Sequence, residues 1–219
     1  MNSTSGALAG LERTSLRQRA LLALRRAIST GELAPGTHLV ETDLSEKLGI
    51  SRGTLREAMR QLQQEGIIST NAKGGLAVRT LDTEEIVHLF AVRAALESLA
   101  AESLAARPDR DSAVAVLREA VQAMVDNQDA EVGERIEVDL TFHRELCRLS
   151  GNTVLLRSWE GLEGAIRMSV MWAGRDRAVA NMAVGPHVEI VDIIASGEAQ
   201  KAHEFVRSHM DEAAANLVS

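Results

Sequence analysis

Apolar residues at Leu16, Ala20, Leu21, Leu24, Ala27 and Ile28 recur at intervals of three and four, the spacing of an amphipathic helix. Thr14 or Ser15 is placed to cap its start, and Gly31 ends it. The following "GELAPGTHLVE" contains Pro35 and Gly36, which interrupt helices, and reads as a turn with a short extended piece. A second helix is expected over about 42–48, with Leu44 and Leu48 inward and a stop at Gly49. Ser51 caps a third, whose Leu55, Met59 and Leu62 face the core until Gly66. Two short helices joined by a tight glycine-containing turn form a helix-turn-helix. In "IISTNAKGGLAVRT" the period changes to near-alternation on either side of a turn-forming cluster, which predicts a small β-hairpin. Helix, helix-turn-helix and hairpin, in that order, describe a winged helix-turn-helix domain. "RTLDTEE" is the expected hinge after it.

From Thr83 or Asp82 onward no strand pattern occurs. Six helices are predicted, over about 83–106, 110–128, 131–150, 153–173, 178–195 and 198–217, separated by "RPDRD", "DNQDAEVG", "SGN", "GRDRA" and "SGE". The expected fold is mainly α: a winged helix-turn-helix followed by an all-helical bundle able to enclose a pocket. The domain boundaries read as a flexible tail over 1–12, a DNA-binding domain over 13–80 and a helical domain over 81–219.

Composition agrees with two helix-rich globular domains: the 219 residues include only three prolines and no tyrosine, and 45% are hydrophobic. No uninterrupted apolar run reaches the roughly 20 residues of a membrane span, and the N-terminus lacks the pattern of a signal peptide. A cytoplasmic protein without a membrane partner is therefore expected. Cys147 is the single cysteine and reads as a small core residue. Charge is divided unevenly. Residues 1–80 carry eleven Lys and Arg against seven Asp and Glu, a net +4, whereas 81–219 carry thirteen against twenty-four, a net −11. Only the front half is suited to meet a polyanion.

Arg52, Arg56 and Arg60 form a stripe beside the buried face of the third helix. By itself such a stripe is often a solvated face. On the second helix of a helix-turn-helix, however, the N-terminal residues are the ones that reach base edges in the major groove. Arg52, Thr54 and Arg56 are accordingly the expected DNA contacts: an arginine can pair two donors with guanine, and a threonine can touch phosphate, a base edge or a thymine methyl. Arg60 is expected to meet phosphate or water. Lys73, Gly74 and Gly75 mark the hairpin tip, where glycines permit close backbone approach and a lysine can enter a minor groove. An ordinary surface turn is the alternative.

The run Leu-Gly-x-Ser-Arg-x-x-x-Arg-Glu-Ala-x-x-x-Leu-x-x-x-Gly from Leu48 to Gly66, within residues 15–79, resembles the winged-helix domain of the GntR family of bacterial transcription regulators. The resemblance implies DNA contacts at Arg52, Thr54, Arg56 and the glycine-bearing wing. Gly53 stands where the family often has threonine, and Thr42 where some members have a DNA-contacting arginine.

In "VDLTFHRELCRLSGN", Asp139 and His143 lie four apart and project from one helical face. That spacing can put two ligands on one metal, or make a surface hydrogen bond. His187 and His209 fall in the last two predicted helices, 22 residues apart, and an antiparallel pair could bring them level. One carboxylate and three imidazoles suit a divalent transition metal, zinc first, with nickel, manganese or iron as alternatives. His38, His88 and His203 have no such partners. This half, over about 83–215, resembles the FCD ligand-binding domain of one large GntR branch, through "FAVRAALESLAAESLA", "DLTFHRELCRLSGN" and the two late histidines. The resemblance implies that Asp139, His143, His187 and His209 line a metal pocket. It also matches Arg93 to an arginine that in some members holds an effector carboxylate; the alternative is a salt bridge to Glu97. Six helices rather than seven favours the VanR-like subgroup over the FadR subgroup.

These readings converge on a metabolite-responsive transcription regulator and not an enzyme. A homodimer would bind a palindromic double-stranded operator, and a small organic acid at the metal and Arg93 would modulate binding. Two alternatives stay open. A metal-dependent enzyme acting on a small carboxylate lacks an evident acid or base and the His-Glu-x-x-His pattern. A regulator whose metal is purely structural would place its effector elsewhere.

Overall fold

The computed structural model describes residues 16–29, 31–71 and 74–219. The expected tail, the Thr14 or Ser15 cap and Lys73 lie outside the described residues. The chain divides into two compact units: one is the chain up to Gln64 together with Ile68–Val78, the other Glu65–Ile67 with Arg79–Ser219.

In the first unit, α1 (Leu16–Ser29) buries Ala20, Leu21, Leu24 and Ile28. Leu16, expected to face inward, is instead exposed at the first described residue of the helix. The next helix, α2 (Glu41–Leu48), ends at Gly49, which adopts a left-handed φ of 62° and donates its N–H to the Glu46 carbonyl. Leu44 and Leu48 are half-buried here, and Ser45 takes the innermost position. In α3 (Arg52–Gln64) Leu55, Ala58, Met59 and Leu62 are buried, and Ser51 Oγ accepts the Thr54 N–H at 3.1 Å as the expected cap.

The hairpin pairs β1 (Ile68–Thr70) antiparallel to β2 (Leu76–Val78), with Ser69 opposite Ala77. On its far side β2 also bonds the extended piece around His38: Leu39 N–H to Leu76 O at 2.8 Å and Val78 N–H to Thr37 O at 3.0 Å. The short piece predicted after Pro35 thus belongs to the wing as a third strand in all but length.

The second unit is helical throughout: α4 (Thr83–Ala105), α5 (Asp111–Asp126), α6 (Val132–Leu149), α7 (Thr153–Trp172), α8 (Arg175–Asn181), α9 (Val184–Ser196) and α10 (Ala199–Val218). Sharp caps mark two starts. Asp82 accepts the Glu85 N–H at 2.8 Å in a capping box, and Asn152 Oδ1 accepts the N–H groups of Val154 and Leu155. Seven helices stand where six were expected, because the segment 178–195 is two helices. Gly185 and Pro186 sit in the first turn of α9, where a missing N–H is tolerated, so the chain restarts there and does not continue from α8. Helix number therefore no longer favours the VanR-like subgroup.

By length and mean hydropathy the segment Arg175–Ser196 passes as long and apolar enough to cross a membrane, but it carries Arg175, Asp176, Arg177, Glu189 and Asp192 and so holds no uninterrupted apolar run of that length. It is interrupted at 182–183, and α9 places Ile190, Val191, Ile193 and Ile194 in the shared core of the unit. That core is built from all seven helices, with α4 and α10 packed along most of their lengths.

Candidate functional site

In the helical unit the four expected metal ligands meet. Asp139 and His143 lie one turn apart on α6, His187 one turn into α9 and His209 midway along α10, and all four are buried. Ligand atoms of the three histidines lie within 4.8 Å of one another. Phe142 walls the cluster edge-on to His143 and His187, with ring centroids 5.2 and 4.9 Å away.

The second nitrogens of two rings show which atoms face inward, through a hydrogen bond at His187 and a charged contact at His143. His187 Nδ1 lies 2.8 Å from the Ala183 carbonyl, which can only accept, so Nδ1 carries the proton and Nε2 a lone pair. His143 Nδ1 lies 2.7 Å from Glu97 Oε2, off the hydrogen-bond axis, so this approach is an ion-pair contact that brings Nε2 inward without fixing the proton. The two Nε2 atoms then face each other at 3.2 Å, and Asp139 Oδ1 lies 3.2 Å from that of His187. Two imidazole nitrogens and a carboxylate oxygen thus converge in a buried space, and with both rings neutral and protonated at Nδ1 they turn lone pairs toward one another. Asp139 Oδ1 has no hydrogen-bond partner there.

Burial alone would raise the Asp139 carboxyl, but the charge that His143 carries when protonated, and then the close polar contact and charge of His187, outweigh burial and hold it down to about 2, so the carboxylate is ionised. Burial pushes His143 down, toward its neutral form, against the pull of Glu97. His209 falls to about 3, through burial first and the neighbouring His187 and His143 second. An ionised carboxylate with neutral imidazoles is the protonation state that metal binding requires, and the N/O donor set fits a divalent transition metal.

Arg93, on α4, forms the salt bridge weighed from the sequence: its Nε is 2.6 Å from Glu97 Oε1, with the two side chains 3% and 0% exposed. The guanidinium also lies over the Phe90 ring at 5.2 Å, and its Nη2 is buried without a hydrogen-bond partner. The pair does not exhaust the donors of the arginine. Sequence reasoning missed the second side of Glu97, its approach to His143, because those residues are 46 positions apart and no local spacing announces them. It missed Trp159 too, whose Nε1 donates to Glu97 Oε1 at 2.7 Å.

On the winged helix Arg52 is exposed at the first turn of α3, and Thr54 is half-buried with its Oγ1 2.9 Å from Ser51 Oγ. Arg56 is exposed and its Nε donates to Glu41 Oε2 at 2.7 Å, while Arg60 pairs with Glu57. Gly74 takes a φ of 79°, and its N–H bonds the Asn71 carbonyl. Gly75 has a structural duty: a Cβ there would overlap the His38 ring, which pairs with Asn71 Nδ2. His38, given no role from the sequence, thus shapes the wing tip.

Cys147 is fully buried, and burial pushes its thiol well above the usual range. Iodoacetamide is expected to leave it unmodified in the native protein at mildly alkaline pH and to label it fully in guanidinium. Equal labelling rates would show that α6 opens readily.

The model of the bacterial regulatory proteins of the gntR family matches residues 16–78, and the FCD domain model matches 88–212. The Nta operon transcriptional regulator of Aminobacter aminovorans is 30% identical over 80% of this chain and 82% of its own. The probable D-xylose utilization operon transcriptional repressor of Paenarthrobacter nicotinovorans is 30% identical over 91% and 88%. A crystal structure of a GntR transcriptional regulator from Rhodococcus sp. RHA1 shares the fold, with a TM-score of 0.76 at 22% identity over 92% of this chain and 97% of that one. With its winged helix followed by a seven-helix unit, this chain belongs to the GntR family of DNA-binding transcription regulators, in the branch that carries an FCD effector-binding domain.

Proposed function

We propose that the protein is a cytoplasmic, metabolite-responsive regulator that acts as a homodimer on a palindromic operator. Residues 13–80 form the DNA-reading domain, and residues 81–219 bind the effector and dimerise. The effector is a small organic acid held at a metal centre by Asp139, His143, His187 and His209, with Arg93 as its second anchor. One observation carries this reading: three lone-pair atoms converge in a buried space while Arg93 Nη2 stays unpaired. Converging lone pairs call for a cation, and an unpaired guanidinium edge calls for a carboxylate. A zinc ion, when bound, supplies a Lewis-acidic anchor for a carboxylate oxygen.

The protein's own groups do the rest. Asp139 offsets the charge of the centre, His187 is fixed by Ala183, and Arg93 presents two donors in a plane. An acid so held shifts the dimer between geometries only by its differential affinity for them. We expect carboxylic acids to release zinc-loaded protein from DNA fragments selected by their binding, and to leave a His143→Ala/His187→Ala variant on the same fragments. DNA affinity indifferent to every acid tested would overturn the effector reading.

On the DNA side, Arg52, Thr54, Arg56, Lys73, Gly74 and Gly75 are the proposed contacts. The Arg56–Glu41 pair is exposed and adds little stability, so DNA can take Arg56 from Glu41 at small cost. Arg56→Ala is expected to weaken specific binding by about 1–3 kcal/mol, with a smaller loss on random DNA. Equal affinity of variant and parent for the selected fragment would remove Arg56 from the readers.

A second reading keeps the metal but makes it structural. It is favoured by the source of the donors: α6, α9 and α10 each contribute, so an ion would tie three helices together. Chelation that unfolds this unit without altering acid affinity would select it.

A further inference from the structure

Glu97 lies at the meeting point of the two halves of the proposed ligand site. Oε1 accepts from Arg93 Nε at 2.6 Å and from Trp159 Nε1 at 2.7 Å. Oε2 sits 2.7 Å from His143 Nδ1, a short approach that is off-axis, so neither atom has an aligned hydrogen-bond partner. The three groups it touches come from α4, α6 and α7, and every side chain in the set is buried.

The geometry points to Glu97 as a positioning residue that sets both anchors of the site at once, the metal-facing nitrogen of His143 and the guanidinium of Arg93. This inference rests on the metal reading above. A carboxylate at Nδ1 holds a metal-ligating histidine in one tautomer and orientation and makes Nε2 a better donor. The same carboxylate, by taking Arg93 Nε, holds the guanidinium in one place, with Nη2 buried and unsatisfied. Trp159 fixes the carboxylate in turn, since its indole N–H has no role other than donation. The bland alternative is an ion pair that merely neutralises a buried arginine.

Glutamine tells these apart. It has the shape of glutamate, but one end is a donor, so it cannot accept from His143 on one side and from Arg93 and Trp159 on the other. Full-length protein would be freed of metal, and zinc affinity measured by competition with a chromogenic chelator for the parent, Glu97→Gln and Glu97→Gln/Arg93→Met. The double variant removes both buried charges, so it folds even if the single variant is crippled by an unpaired Arg93. Both variants are expected to bind zinc ten- to a hundredfold more weakly than the parent. Cobalt bound to Glu97→Gln should show displaced visible absorption bands.

Recovery of parental zinc affinity in the double variant would reduce Glu97 to a charge partner of Arg93 and overturn the inference. Parental affinity in both variants would overturn it equally. A parent that binds no zinc or cobalt would take down the metal centre itself, and this role with it.

Discussion

Replacing His143 and His187 together by alanine should abolish metal binding while leaving a folded molecule. The parent, purified without a histidine tag, is expected to carry about one transition metal ion per chain, and the double variant none. The reason lies in how the centre is divided. Of the four donors, the variant leaves Asp139 and His209, too few to hold a labile ion against water, whose competing ligands are always present. Elemental analysis with thermal melting decides the matter. Metal retained by the variant would place the ion elsewhere, and a metal-free parent that stays metal-free after zinc is supplied would leave the histidines as a polar core. Truncating two buried rings removes their 3.2 Å contact and leaves a cavity, so the metal-free variant should melt below metal-free parent while keeping its helical signal. Metal-loaded parent should melt higher than both.

Leu55→Ala should unfold the DNA-reading unit and spare the other. Leu55 is fully buried on α3 among residues of a small core, and truncation of such a leucine costs about 2–5 kcal/mol. A unit of this size has little more than that to lose, since small domains are stable by only about 5 kcal/mol. The variant is expected to lose DNA binding at every sequence, to show a lowered first transition on heating, and to keep its metal stoichiometry. Loss of metal along with DNA binding would show that the two compact units depend on each other to fold.

Much of the winged helix was legible because its signals are local. The Ser51 cap, the Gly49 stop and the Leu55, Met59, Leu62 row all act within a few residues and came out as expected. The division of 178–195 was not legible from periodicity, since the apolar pattern runs on through Met182 and Val184. Gly185 and Pro186 carried the signal, and their effect depends on a turn of helix that can restart around them. At the candidate site, Asp139 and His143 were paired by helical spacing alone, whereas an antiparallel helix pair made their meeting with His187 and His209 conceivable and the resemblance then implied it. Glu97 shows the limit most clearly. Its bond to Arg93 spans one turn and was the alternative weighed for that arginine, but its approach to His143 is made by tertiary packing, which leaves no mark on spacing. His38 was missed for the same reason, as its partners Asn71 and Gly75 are more than thirty positions away.

The donors of the candidate centre are strung far apart along the chain: His209 follows His143 by 66 residues, and α10 packs along α4, which begins more than a hundred residues before it. Chains are made from the N-terminus, and leading domains fold while later ones are still being synthesised. The winged helix is therefore complete on the ribosome well before α10 exists to close the site. Each molecule passes through an interval in which its DNA-reading unit is folded while the helix that closes the candidate centre does not yet exist.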